Sequence, residues 1–156
     1  MKKKTKVSCP KDWIIKLQDY RNTLVLLNQE INSGVWAFTA KCRRVKYEIG
    51  IGIIDARQKV IPHPFDYKQT FNNSCNELKW GDEVSVIVDL QSNPHTFCLA
   101  INKVLQPFCV TNIPDRLKFI LFFGGLDSEW EFISLQELAQ AVDLSKIEER
   151  RRFKYE

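Results

Sequence analysis

Between Gly81 and Phe108 the chain alternates, turns, and alternates again. In GDEVSVIVDL, Val84, Val86, Val88 and Leu90 share one parity while Ser85, Ile87 and Asp89 take the other, the period-two pattern of a strand with one face in a core. A polar QSNPHT turn follows, and FCLAI places Phe97, Leu99 and Ile101 on one face. Asn102-Lys103 then separates FCLAI from VLQPF. That is the length of a two-residue hairpin turn, in which asparagine takes positive φ and lysine does so less willingly than glycine. Three antiparallel strands joined by short turns, with both faces partly apolar, describe the middle of a β-sandwich.

Upstream, TLVLLNQEI from Thr23, VWAFTAKC from Val35 and EIGIGIID from Glu48 are rich in β-branched and aromatic residues between turn formers, the signature of strands. Trp36 and Phe38 share one face of VWAFTAKC, and Val35, Ala37 and Thr39 the other. Ile49, Ile51 and Ile53 alternate with Gly50 and Gly52; the bare glycine face is expected to receive a bulky neighbour from an adjacent layer. Residues 62–80, PHPFDYKQTFNNSCNELKW, hold no period and read as a long loop, a class that tends to carry function. RLKFILFFGGLDSEWEFISL reads as a strand, a Gly124-Gly125 turn and a second strand, with Trp130, Phe132 and Leu135 at its apolar positions.

Only the end changes period. Ser134-Leu-Gln-Glu137 has the form of a capping box and predicts a short helix through about Val142. Ser145-Lys-Ile-Glu148 repeats the signal ahead of the charged EERRRFKYE, which reads as a solvated helix or a frayed tail. The expected organisation is all-β: a flexible basic segment over 1–9, an antiparallel sandwich over 10–135, and a C-terminal helix with a charged tail over 136–156.

The 156 residues suit one domain, and a domain of this size buries enough surface for a core without staples. The five cysteines, Cys9, Cys42, Cys75, Cys98 and Cys109, are odd in number and form no C-x-x-C pair; they read as reduced thiols of a cytoplasmic protein. MKKKTKVSCPKDW lacks the apolar run of a signal peptide, and LVLL is far too short to span a bilayer. The formal charge of +4 comes from Lys2, Lys3, Lys4 and Lys6 and from the basic excess of residues 146–156, so the body between them is slightly acidic. A nucleic-acid binder presents its basic residues as a face of the fold among stacking aromatics, and no nucleic-acid or membrane partner is expected. Lys41, Arg43, Arg44 and Lys46 form the one internal basic cluster, open to two readings, a solvated strand end or a partner site.

Signals for catalysis are few. Gly50-Ile-Gly52 lies within a strand and lacks the third glycine of a dinucleotide loop, and the chain contains no P-loop, H-E-x-x-H or G-x-S-x-G. Asp82, Asp89 and Asp127 read as turn caps. Binding asks for aromatics and arginines on loops, and four places have them: Tyr20 and Arg21; Arg43, Arg44 and Tyr47; Phe65, Asp66 and Tyr67; and Trp130 beside Asp127 and Glu129. For each aromatic the competing reading is the edge of the core.

Gly81-Asp82 opening a strand, Asp89-Leu90 closing it, Phe97 on the next, Asn102 at the turn and Phe108 after it resemble the SPRY domain family in order and place. VWAFTAKC, IGIGII, Pro114 and LKFILFF are similar to further strands of that family, so the resemblance covers roughly residues 20 to 135. Two departures stand out: Lys103 replaces the usual turn glycine, and the loop after Ile53 lacks the family's Trp- or Tyr-rich phrase. The resemblance implies a bent, concanavalin-like sandwich of two antiparallel sheets, without cofactor or catalysis. It further implies a monomeric recognition module that takes a peptide or protein on loops at one end of the sandwich, often within ubiquitin ligases or scaffolds. A lectin-like sandwich that binds a carbohydrate is the alternative. It would set a stacking aromatic on a concave sheet face, whereas a peptide module sets its aromatics on end loops.

Overall fold

The structure, a computed structural model, describes residues 6–7, 13–17, 23–45, 49–59, 78–124 and 126–155. Its strands are β1 (Lys6–Val7), β2 (Ile14–Lys16), β3 (Thr23–Leu26), β4 (Val35–Arg44), β5 (Ile49–Asp55), β6 (Glu83–Asp89), β7 (Thr96–Ile101), β8 (Val104–Thr111), β9 (Leu117–Phe123), β10 (Glu129–Leu138) and β11 (Arg152–Lys154). The larger sheet runs β1-β10-β4-β6-β7-β8-β11, with β2 also on β10, and the smaller runs β3-β9-β5. Every pairing is antiparallel except β11 on β8. The expected all-β sandwich is the fold, and residues 6–7 of the segment expected as a flexible tail form a strand in it.

Alternation explains the core. Val84, Val86 and Val88 are fully buried and stand opposite Ala40, Phe38 and Trp36 on β4. From the smaller sheet β9 contributes Leu117, Phe119, Leu121 and Phe123, all buried. The two layers meet ring to ring at Phe38 and Phe119, 5.3 Å apart between centroids, and within the larger sheet Phe132 on β10 stands 5.5 Å from Phe38. A bulge at Ile133 returns Leu135 to the face that Trp130 and Phe132 occupy, so an apolar set of mixed parity packs on one side.

The β7–β8 turn is the two-residue hairpin that the spacing predicts, with Asn102 at φ 50° and Lys103 at φ 67°. Both residues are left-handed, as a type I′ turn requires, and lysine pays a Cβ penalty there that glycine does not. Lys103→Gly is expected to raise the unfolding free energy by about 0.5–1 kcal/mol, read as a higher urea midpoint. A lower midpoint contradicts the turn assignment.

Two expectations are corrected. The bare face of β5 does not receive another layer among the described residues; Gly50 and Gly52 pair with Phe122 and Ile120 in the same sheet, and a Cβ on Gly50 would stand 3.4 Å from Phe122 Cβ. The helix expected over 134–142 is not formed, because β10 continues to Leu138, pairing Gln136 with Ala37, Glu137 with Trp36 and Leu138 with Val35. Cross-strand pairing with buried partners outweighs a four-residue capping signal. The only helical piece described beyond it is a 3₁₀ turn at Glu149–Arg151.

Residues 139–155 are not a frayed tail either. They cross the outer face of the larger sheet, where Val142, Leu144 and the buried Ile147 pack on Ile87, Cys98, Leu105 and Cys109. They then join the sheet as β11, Arg152 beside Cys109 and Lys154 beside Thr111. Arg152 fixes the crossing by donating from Nε to the Ile147 carbonyl at 3.2 Å and from Nη2 to the Leu144 carbonyl at 3.0 Å.

The buried thiols make stability fall in alkali. Burial, then the charge of Asp82, pushes the Cys42 thiol up to about 11; burial, then Cys109 and Asp89, pushes Cys98 up to about 12; and burial raises Cys109. A thiol raised on folding keeps its proton longer in the folded chain, so its contribution is complete below the ordinary value of 9.0 and is lost as pH climbs toward the folded value. Urea unfolding is therefore expected to show a level stability at neutral pH and a steady decline from about pH 9 to 11. A flat profile across that range contradicts the burial of these side chains.

Candidate functional site

Strand order sorts the loops into two ends. Val35, Asp89, Thr96 and Thr111 stand side by side across the larger sheet, so the β3–β4, β6–β7 and β8–β9 connections gather at one end. At the other, Arg44 pairs with Glu129, Lys41 with Glu83, and Val84 with Ile101, which brings together the end of β4, the entry to β6, the β7–β8 hairpin and the β9–β10 turn. Asp127 and Glu129 both belong to this second end, as do Thr23, Val45 and Ile49, the described neighbours of Tyr20, Arg21 and Tyr47. Tyr20, Arg21, Tyr47, Phe65, Asp66 and Tyr67 themselves lie outside the described residues.

Of the expected binding residues that are described, each has a different placement. Trp130 is fully buried and donates its indole N–H to the Phe122 carbonyl at 3.1 Å, so it belongs to the core and not to a contact surface. Arg43 lies on the outer face of the larger sheet, paired with Glu131 at 3.2 Å. Arg44 takes the opposite parity and stands half-exposed at the end of β4.

The residue that dominates this end is one that loop composition alone passes over. Trp80, just before the Gly-Asp that opens β6, is 64% exposed yet held on several sides. Its indole N–H donates to the Val45 carbonyl at 3.1 Å. The next residue, Gly81, at φ 90°, turns the chain so that its amide reaches the Cys42 carbonyl at 2.7 Å, and the Cys42 amide reaches Asp82 O at 2.8 Å. Asp82 caps the turn as expected, accepting the Lys79 amide on Oδ2 at 2.8 Å and the Asn102 side-chain amide on Oδ1 at 2.8 Å. Those bonds, the Lys79 amide first, hold its carboxyl below the usual range. Asn102 in turn accepts the Glu83 amide at 2.9 Å, tying the hairpin to the same turn. Val104, 60% exposed, and Lys103 stand on that hairpin.

The β9–β10 turn closes the far side. Asp127, at φ 67°, pairs with Lys16 at 3.2 Å, and the buried Ser128 donates to the Gly124 carbonyl at 2.7 Å. A fixed, exposed tryptophan thus shares this end of the sandwich with Arg44, Lys103 and a paired Lys16–Asp127. An aromatic and an arginine on a rigid frame are the groups that contribute most per contact in protein interfaces.

The opposite end carries a shallow cavity of about 370 Å³ lined by Asn93, Pro94, His95, Asn112, Ile113, Pro114 and Asp115. Its charges already have partners: Arg57 joins Asp115 at 2.7 Å and Asp55 at 3.1 Å, and Arg116 joins Glu30 at 2.7 Å. Asp89, whose charge reaches His95, accepts the Gln91 and Ser92 amides on Oδ1 at 2.8 and 3.0 Å and the Ser92 hydroxyl on Oδ2 at 2.5 Å. Burial opposes these bonds, which nonetheless hold the carboxyl below its usual range. The second end, with unsaturated aromatic surface, is the stronger candidate. Among the described residues no three His, Cys, Asp or Glu side chains cluster as metal ligands, and no helix is long and apolar enough to cross a membrane.

No protein-family model and no curated protein sequence matches the chain. Among solved structures it is similar to the SPRY domain of human HERC1, with a TM-score of 0.60 over 82% of this chain and 90% of that one, at 10% identity. The chain therefore has the SPRY-domain fold that its strand order of Gly-Asp, Asp-Leu, Phe, Asn and Phe suggests.

Proposed function

We propose that this chain is a non-catalytic recognition module that binds a peptide or a protein surface at the end of the sandwich bearing Trp80 and Arg44. The observation that carries this reading is Trp80, a large aromatic left 64% exposed while its turn is fixed to β4 and to the β7–β8 hairpin. An anchor that is already ordered loses little conformational freedom on binding, so more of its contact energy appears as affinity. The fold supports the reading, since rigid sandwiches leave their end loops to vary and bind. Tyr20, Arg21 and Tyr47 adjoin this end in sequence and are proposed to extend the surface, and Phe65, Asp66 and Tyr67, which precede Trp80 in sequence, to contribute to it. A substrate-recognition or scaffold role, such as that of the recognition subunit of a ubiquitin ligase, in a cytoplasmic, monomeric protein, fits such a surface. The position of Trp80 on an end turn, and not on a sheet face, favours a peptide or protein over a carbohydrate.

Affinity capture from cells of the native organism, followed by mass spectrometry, tests the proposal with the wild-type chain beside the Trp80→Ala, Arg44→Ala double variant. Partners retained by the first and absent from the second are expected.

A further inference from the structure

Cys98 on β7 and Cys109 on β8 stand directly opposite each other, and both are free thiols. Neighbouring hydrogen bonds decide what kind of pair they make. The Asn102 amide donates to the Glu83 carbonyl on the β6 side, and β6 and β7 stay in register throughout. Residues of that parity, Ala100 and Cys98, therefore turn their backbone groups toward β6 and away from β8. On the other strand the Thr111 carbonyl accepts the Tyr155 amide, so Thr111 and Cys109 turn theirs toward β11. Cys98 and Cys109 are thus a non-hydrogen-bonded pair, the kind in which Cα atoms approach to about 4.5 Å and side chains lie closest. That spacing falls within the range of roughly 4.4–6.8 Å that a disulfide spans.

Both side chains lie on the outer face of the larger sheet beneath Ile147, with Val142 and Leu144 beside it. We propose that Cys98 and Cys109 form a reversible cross-strand disulfide site, and that the C-terminal segment held down by Arg152 is its guard. The oxidant is a low-molecular-weight disulfide such as glutathione disulfide. One cysteine, as thiolate, attacks a sulfur of the oxidant and expels one glutathione thiolate; the second cysteine attacks the mixed disulfide and expels the other. The two cysteines lose two protons and two electrons, and one glutathione disulfide becomes two glutathione molecules. Under the cover the thiolate form is scarce, because burial raises both thiols, so the rate of oxidation follows the opening of the segment. Cys42, on the core face of β4 opposite Trp130, faces no second thiol among the described residues and serves as an internal control.

The test uses the full chain with Cys9→Ser and Cys75→Ser, so that these two thiols do not compete. After incubation with glutathione disulfide, acid quench, alkylation and digestion, mass spectrometry is expected to find a reductant-sensitive peptide joining Cys98 to Cys109, with Cys42 alkylated. With Arg152→Ala, which removes two hydrogen bonds to carbonyls of the cover, the peptide should form about tenfold faster. Ile147→Ala provides a second, independent loosening should Arg152→Ala lose its native circular dichroism. Recovery of Cys98 and Cys109 as free thiols, or as two separate glutathione adducts, in all three proteins overturns the disulfide. Equal rates in wild type and both loosened variants overturn the guard.

Discussion

Trp130→Ala is expected to lower the unfolding free energy by about 3–5 kcal/mol, the usual cost of removing a large aromatic from a packed core. The side chain is fully buried, sits opposite Cys42 on β4, and satisfies the Phe122 carbonyl through its indole N–H. Truncation thus opens a cavity between the sheets and removes that hydrogen bond. Since a domain of this kind has about 5–15 kcal/mol in total, the variant should be near the edge of folding at 37 °C. Trp130→Phe separates the two contributions: it keeps most of the packing and removes the donor, and should cost about 1–3 kcal/mol. Urea unfolding followed by tryptophan fluorescence measures both. A loss under 1 kcal/mol for Trp130→Ala would place the residue at the surface.

Trp80→Ala should behave in the opposite way. Its ring faces solvent and its one hydrogen bond is to the Val45 carbonyl at an exposed site, so stability is expected to change by no more than about 0.5 kcal/mol. Affinity for a captured partner should fall by at least about 2 kcal/mol, or roughly thirtyfold, as for a central interface anchor. Combining it with Arg44→Ala should deepen the loss without unfolding the chain. Isothermal titration with the purified partner reads the affinity, and a thermal melt reads the fold.

The two tryptophans show what the sequence reveals and what it hides. Period-two alternation in EVSVIVDL and LKFILFF is a statement about one face of one sheet, and Val84, Val86, Val88, Phe119 and Leu121 are buried where it puts them. The Asn102-Lys103 turn and the caps at Asp82 and Asp89 are equally legible, because their hydrogen bonds run to neighbours in sequence or across a short hairpin. Trp130 stays open between a binding surface and the edge of the core only while the partner strand is unknown; once β10 lies on β4, its parity is fixed inward. The capping box at Ser134–Glu137 is a sound local signal that non-local pairing overrides. Residues 139–155 pack on side chains more than thirty positions upstream, contacts that no local pattern encodes. Trp80 is hidden for a related reason. Its exposure is set by Gly81, Cys42 and Val45 acting together, three residues from two distant segments.

Partner binding measured for variants at each end of the sandwich decides which end carries recognition. Alongside the wild type, the Trp80→Ala, Arg44→Ala variant would be compared with Asn93→Ala, Asp115→Ala, which alters the shallow cavity at the opposite end. Binding is expected to be lost in the first and retained in the second, with both proteins folded. Loss in the second with full binding in the first would contradict it and move the recognition surface to the other end of the fold.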